Sequence, residues 1–528
     1  MEIDFNLVNE FKETILKSYN EALNLDKNVR NKELNDIVTD VDIYMETKII
    51  EKIKELFPEH SIYAEEKGEI LEKSEYVWYI DPIDGTINFA NGIPLYSTSI
   101  ALKKNNETIF GFIYDYSSEK CYYAIKGKGA YCNQERLRVS NNNILSDSII
   151  SFCLTSHYNL DRVNEILEIE KCLAPKVRGL RLFVSSAIEL AWCAEGKIDG
   201  CINIKKSQRI SSSAGILLIE EAGGKVTNIQ GNTRQKVDTM LATNGLIHSK
   251  VVNALKYAVF IGSSTEVIEI KQDELNSTIN TYIAGKAYSQ AIAGAKSGLN
   301  SKLLTTISGV RKNELDSMIL EAKKNNIDTS NITISNSIEN DIKIVFKDEN
   351  NIKIKEEDIL KGSAEALSEE IIIQNEEVLK KASIIVCQTK ISKTTIEKIV
   401  EIANENNVPV VINPSRPNEI SLDNKENEEL INKISMIICD TKQLKEIFEQ
   451  NVMVDEVLKK YGNKLIVMED NNQIKYFDGN SIISINSQIE LQEVGAKDIF
   501  IGKFIKNYLE KEDITGAIKA SVILWNNL

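Results

Sequence analysis

Only three histidines, His60, His157 and His248, occur in 528 residues, and the eight cysteines are scattered with no Cys-x-x-Cys pair among them. That scarcity excludes structural zinc, whose sites need clustered thiolates and imidazoles. No run of about 18 apolar residues offers a membrane span, and Met1-Glu-Ile-Asp-Phe lacks the basic and apolar regions of a signal peptide, so a cytoplasmic chain is expected. Positive charge is short as well: 63 Lys and Arg against 78 Asp and Glu give a net charge of -15, which argues against a nucleic-acid or anionic-membrane partner. What remains is a globular composition, 42% hydrophobic and 27% charged, in a chain too long for one ordinary core. Two or more domains, folding without disulfides, are expected.

Against that background one stretch stands out. Tyr76–Phe89 reads Tyr-Val-Trp-Tyr-Ile-Asp-Pro-Ile-Asp-Gly-Thr-Ile-Asn-Phe. Val77–Ile80 is a continuous apolar run and predicts a buried strand. Asp81 and Asp84 leave its end three residues apart, with Pro82 fixing one backbone angle between them. Oxygen ligands in that arrangement suit Mg2+, which is usually held by a few carboxylates plus substrate phosphate. Ile83 can add only its carbonyl. Gly85-Thr86 follow at once, and a helix starting there would turn free N–H groups toward a phosphate oxygen. A lone Asp-x-x-Asp-Gly is more often a polar turn, but the fourteen-residue string is far more specific.

Upstream, Phe5, Val8, Phe11, Ile15, Tyr19 and Ala22-Leu23 recur at helical spacing and predict the core stripe of a first helix. Ile43–Phe57 reads as a second helix stopped by Pro58, with Asp42 placed to be its N-cap. Ser61–Ala64 predicts a short strand delivering Glu65 and Glu66, adjacent acids that can supply the further carboxylate a divalent site needs. Downstream, Tyr96–Leu102, Glu107–Tyr116 and Lys120–Ile125 form a strand-rich meander, and Gly127-Lys128-Gly129 is a turn. Val184–Ala194 is helix-like and Gly215–Ala222 is another apolar stretch.

Trp78–Phe89 resembles the signature of the inositol monophosphatase family of Mg2+-dependent, lithium-sensitive phosphatases, and the resemblance covers roughly residues 1–255. It implies a layered α/β/α/β/α sandwich in which Glu65, Asp81, the Ile83 carbonyl and Asp84 hold Mg2+ with Glu66 in support. Asp42 and Thr86 would orient the attacking water, and the Gly85 and Thr86 amides would receive the phosphate. Glu221-Ala222-Gly223-Gly224 matches the family's Glu-Ala-Gly-Gly. Ten residues before that Glu, relatives carry an Asp that ligates a second metal; here the position is Ser211, within Ile210-Ser211-Ser212-Ser213-Ala214-Gly215. A neutral hydroxyl is a poor Mg2+ ligand and a weak general base, which puts the second metal in question. The family's Gly before a small hydroxyl residue becomes Val184-Ser185. No acid stands near Asn203-Ile204, where relatives contact inositol, and Lys205, Lys206 and Arg209 replace apolar or acidic groups. Substrate recognition has changed or been lost.

From Tyr257 a second α/β rhythm begins, with strands at Ala258–Gly262, Ile384–Val386, Val408–Ile412, Met436–Cys439 and Leu465–Met468 between helices such as Thr394–Asn404, implying crossover units and a largely parallel sheet. Val494-Gly495-Ala496-Lys497-Asp498 resembles the Gly-Ala-Gly-Asp of the ribokinase family of sugar kinases (pfkB type). That places a Rossmann-like domain over about 256–528, with Asp498 matching the base that takes the sugar proton. Lys497 stands where the family has its second Gly. Ala284–Ser289 departs from Gly-Gly-Lys-Gly-Ala-Asn, Val267 from a sugar-binding Asp, and Asp440-Thr441-Lys442-Gln443 from Asn-x-x-Glu. Glu469–Asn472 replaces a nucleotide loop, and the chain stops at Leu528, before a segment that typically encloses adenine. Together these changes favour a catalytically silent kinase fold.

The resulting expectation is a Mg2+-dependent phosphomonoesterase for a small polyol or sugar phosphate, fused to a degenerate kinase-like domain and, by default, homodimeric. A non-catalytic metabolite sensor or scaffold, and a bifunctional phosphatase and kinase, are the alternatives.

Overall fold

The computed structural model describes residues 4–24, 29–33, 36–72, 74–153, 160–204, 210–233, 239–272, 277–310, 312–338, 340–348, 353–360, 366–414, 427–447, 453–491 and 495–523. The chain divides into two compact units, Met1–Leu255 and Lys256–Leu528. Among the described residues no helix is long and apolar enough to cross a membrane.

The first unit is built around an eight-stranded sheet in which the motif strand Tyr76–Asp84, third from one edge, pairs antiparallel with Ser97–Lys104 and parallel with Ser61–Ala64. Ser97–Lys104, Glu107–Asp115, Lys120–Ile125 and Gly129–Cys132 continue it as the expected meander. Helices Phe5–Ala22 and Asp40–Leu56 cover one face, where Phe11, Met45, Ile49, Trp78, Phe110 and Phe112 form a shared core. Helices Ser186–Ala194 and Ser212–Glu221 cover the other, packing Leu190 and Leu218 against Ala101, Ile113 and Tyr122. Their far side meets a five-stranded sheet, which is backed in turn by Leu160–Leu173 and His248–Leu255. The layers are therefore α/β/α/β/α.

Three local expectations are corrected. Asp81 and Asp84 do not leave the end of the motif strand: it runs through both, and the register jumps between the Asp81–Ser99 and Asp84–Ser97 pairs. Pro82, which has no N–H to give, lies in the resulting bulge. The second helix starts at Asp40 rather than Ile43. In the first helix Leu7 is buried, whereas Phe5 and Leu23, at the ends of the apolar stripe, stay exposed.

The second unit carries a sheet in which Asn300–Ser308, Tyr257–Ile261, Ile384–Gln388, Val410–Asn413, Met436–Asp440 and Leu465–Met468 run parallel, followed by two antiparallel strands, Gln473–Phe477 and Ile482–Asn486. Helices flank both faces, the arrangement that crossover connections impose. A separate four-stranded sheet, ordered Ser277–Ala284, Thr265–Gln272, Asp341–Lys347 and Lys353–Leu360, completes a Rossmann-like, ribokinase-type fold.

Helices Lys286–Lys296 and Ala496–Lys511 meet backbone to backbone at Gly502, where a Cβ would lie 2.5 Å from the Gln290 carbonyl oxygen and 2.6 Å from the Gly294 nitrogen. Neither atom can retreat without shifting a helix. Gly502→Ala is expected to destabilise the second unit by about 1–3 kcal/mol, read as a lower urea midpoint for that unit; an unchanged midpoint would contradict the packing described.

Candidate active site

The second helix organises the site through two acids one turn apart. Thr39 is its N-cap, and Asp42, read from sequence as the cap, is instead the third helical residue in a capping box. One Asp42 oxygen accepts from the Thr39 N–H at 2.9 Å and the Thr39 hydroxyl at 2.5 Å; the other faces the Thr86 hydroxyl at 3.2 Å. Thr86 also lies 2.9 Å from the Ile83 carbonyl oxygen. With one hydroxyl proton, Thr86 serves either acceptor but not both at once. Burial pushes the Asp42 carboxyl upward, against the Thr39 hydrogen bonds.

Four residues on, Glu46 is fully buried, and its two oxygens accept the backbone N–H groups of Glu66 (2.7 Å) and Lys67 (3.0 Å). This clamp holds the turn that carries Glu65, whose own N–H bonds the Ile80 carbonyl at 3.1 Å, beside the motif strand. The Glu65 and Asp81 side chains consequently face each other. Asp81 is only 4% exposed, and its Oδ1 has no hydrogen-bond partner among the described residues. Burial, then the charges of Glu65 and Asp84, hold the Asp81 carboxyl well above the usual carboxylate range. A buried carboxylate with a free oxygen, a second carboxylate alongside and the Ile83 carbonyl nearby is a donor set that fits a hard divalent cation.

Asp84 behaves differently. Its Oδ2 accepts from the Ser185 hydroxyl (2.5 Å) and the Ala187 N–H (2.9 Å), and its Oδ1 from the Ser186 N–H (3.2 Å) and hydroxyl (3.0 Å). The Ser186 and Ser211 hydroxyls lie 2.9 Å apart. The chain enters this helix through Val184 at φ +60°, a left-handed conformation in which a β-branched residue is strained. With Asp84 drawn to Ser185–Ala187, no three acidic, His or Cys side chains among the described residues form a preassembled cation cage. Gly85 is irreplaceable on its own account: its φ is +90°, and a Cβ would meet the Leu95 carbonyl oxygen at 2.7 Å.

Sequence reasoning missed Glu46, Ser186 and Glu189, and singled out Ser185 without its bond to Asp84. Glu46 had a signal, an acid four residues after Asp42 on an otherwise apolar helix face; the serines announce themselves only once the fold brings their helix to Asp84. Glu221, matched through Glu-Ala-Gly-Gly, holds the Gly127 and Gly129 N–H groups at 2.7 and 2.8 Å and so fixes the turn read there. Asn203 and Ile204 are buried on and just after a strand. Lys205, Lys206 and Arg209 lie outside the described residues.

In the second unit Asp498 sits in the first turn of helix Ala496–Lys511, behind Gly495 at φ +83°. It accepts from the Gln290 amide at 2.8 Å, and burial raises its carboxyl while the Lys286 charge opposes that. Burial lowers the Lys286 ammonium. The Lys497 ammonium folds onto Asp440 at 2.8 Å, and Asp440 and Gln443 cap each other reciprocally. Val494 lies outside the described residues, and Val267 lies within strand Thr265–Gln272.

Glu189, on the helix that binds Asp84, is fully buried with the Cys201 thiol 3.5 Å away, and burial pushes its carboxyl up to about 7. The folded state therefore holds this proton more tightly than the unfolded chain, whose carboxyl titrates near 4.5. The associated stability is full below that value and lost as pH rises through about 7. Glu189→Gln is expected to flatten the fall in melting temperature between about pH 5 and 8; equal falls in variant and wild type would contradict the assignment.

Comparison with known proteins agrees with this division. Residues 1–263 match the inositol monophosphatase family and residues 255–522 the pfkB family of carbohydrate kinases. The fructose-1,6-bisphosphatase/inositol-1-monophosphatase of Thermotoga maritima is 35% identical over 229 residues, covering 42% of this chain and 84% of that protein. The inositol-1-monophosphatase of Bacillus subtilis is 34% identical over 228 residues, covering 42% and 85%. The Nus factor SuhB of Haemophilus influenzae is 32% identical over 228 residues, covering 43% and 84%. The chain thus belongs to two families in succession, the inositol monophosphatase family in its first half and the pfkB carbohydrate kinase family in its second.

Proposed function

We propose that the first unit is a Mg2+-dependent phosphomonoesterase acting on a small polyol or sugar monophosphate, and that the second is a carbohydrate-kinase fold that does not transfer phosphate. The observation that carries the first part is the buried, unpartnered Asp81 Oδ1 beside Glu65. Glu65, Asp81 and the Ile83 carbonyl would hold Mg2+, with Glu66 supporting the loop; Asp84, the other acid of the motif, could join them only by giving up its bonds to Ser185–Ala187. When bound there, Mg2+ would polarise the phosphate and acidify a neighbouring water. Asp42, fixed by Thr39, accepts the Thr86 proton, leaving the Thr86 oxygen to orient the attacking water. Glu46 keeps the Glu65 turn in register with that pair, because both acids ride on one helix. The Gly85 and Thr86 backbone amides would receive the phosphate.

For the second unit, the Lys497–Asp440 ion pair supports a silent centre: the only side chain added to the Gly-Ala-Gly-Asp pattern is paired with an acid of the protein itself. Asp498 then has the position of a base without a transfer partner. A net charge of -15 favours a small phosphorylated metabolite over nucleic acid or membrane as partner. A cytoplasmic homodimer is the assembly we expect.

Phosphate release from a panel of sugar and polyol monophosphates should require Mg2+ and fall by at least about 100-fold in Asp81→Asn. Release that survives Asp81→Asn would overturn the site. No release with any substrate would leave both units non-catalytic and favour a metabolite sensor.

A further inference from the structure

We infer that the first unit holds one divalent cation rather than two, because the hydroxyls of Ser186 and Ser211 occupy, as a hydrogen-bonded pair on Asp84, the place where a second cation would be ligated. The inference rests on the Mg2+ reading of Glu65 and Asp81 and concerns the neighbouring acid, Asp84.

Protons decide the arrangement. A carboxylate can only accept, and the Ser186 hydroxyl lies 3.0 Å from Asp84 Oδ1 as a donor. The same hydroxyl is placed to donate to the Ser211 oxygen at 2.9 Å, so one Ser186 proton links Asp84 and Ser211 and serves one of them at a time. Ser185 and the Ser186 and Ala187 amides fill the remaining lone-pair directions of Asp84. All four acceptor sites of that carboxylate are thus matched by four donors from a single helix N-terminus. Position 211 contributes no charge, and its backbone is tied down by the Ser99 hydroxyl on the Ser211 carbonyl at 2.9 Å. A cation between Asp84 and Ser211 would have to break the Asp84 bonds and gain only a neutral oxygen from Ser211.

The backbone agrees. Val184 keeps a left-handed φ of +60° where a β-branched residue pays for it in strain, and the bonds that the next three residues make to Asp84 are what hold the turn in place. Asp84 acts here as the anchor of helix Ser186–Ala194, while Asp81, with its unpartnered Oδ1, keeps an oxygen free for a ligand.

The test is a Mn2+ titration of the full-length protein, counting bound ions by the electron paramagnetic resonance signal of free Mn2+. The expected count is one per chain, abolished by Asp81→Asn, and rising to two in Ser211→Asp. Ser211→Ala should keep one ion, with affinity changed by less than about tenfold, which keeps the inference testable where the added acid impairs folding. Two ions on the wild type would overturn the one-cation centre while leaving the phosphatase reading intact, as would a large loss of affinity in Ser211→Ala. No ion on the wild type would overturn both.

Discussion

The first unit depends on one electrostatic constraint, the confinement of two like-charged carboxyls, Glu65 and Asp81, at the rim of a sheet strand where Asp81 is shut away from water. Left alone, such a pair must hold a proton or separate. The protein prevents separation from both sides. The bulge around Pro82 fixes Asp81 within the sheet, and the fully buried Glu46 grips the two amides that follow Glu65. The same helix presents Asp42 to Thr86, so the acids that would hold a cation and the hydroxyl that would orient water share one rigid support.

The second unit solves a comparable problem the opposite way. Where its family uses an uncharged glycine, Lys497 introduces a cation, and Asp440 answers it at 2.8 Å. Charge that could act on a ligand is cancelled inside the fold. The two halves also differ in compensation: one leaves a buried carboxylate oxygen unpaired, the other pairs the group that its departure from the family pattern created. Asp84 follows the second pattern inside the first unit, since its charge is answered by Ser185, Ser186 and Ala187.

Much of this was legible in the residues. Lys120–Ile125 and Leu465–Met468 are the strands that their apolar, β-branched runs predict, because a run bounded by turn signals has little freedom in its ends. Asp42 was legible, through the family resemblance, as the partner of Thr86. The bulge was not: Asp-Pro-Ile-Asp reads as the end of a strand, and only the partner strand, with Ser97 and Ser99 opposite Asp84 and Asp81, shows that it continues. Nor were the roles of Ser185 and Ser186, which lie about a hundred residues from Asp84 and carry no local pattern that distinguishes them from ordinary helix-initiating serines. Phe5 and Leu23 fit the helical period yet stay partly exposed at the two ends of the helix, Phe5 even with its ring edge-on to Tyr123 and Tyr131, because a period identifies a face and not how completely its ends are covered.

The central claim, that Asp81 keeps an oxygen for a cation while Ser185, Ser186 and Ala187 occupy Asp84, is most directly tested by an anomalous difference map from crystals of the protein grown with Mn2+. The account predicts a single strong peak in the first unit, among Glu65, Asp81 and the Ile83 carbonyl. A peak between Asp84 and Ser211, or none near Asp81, would contradict it.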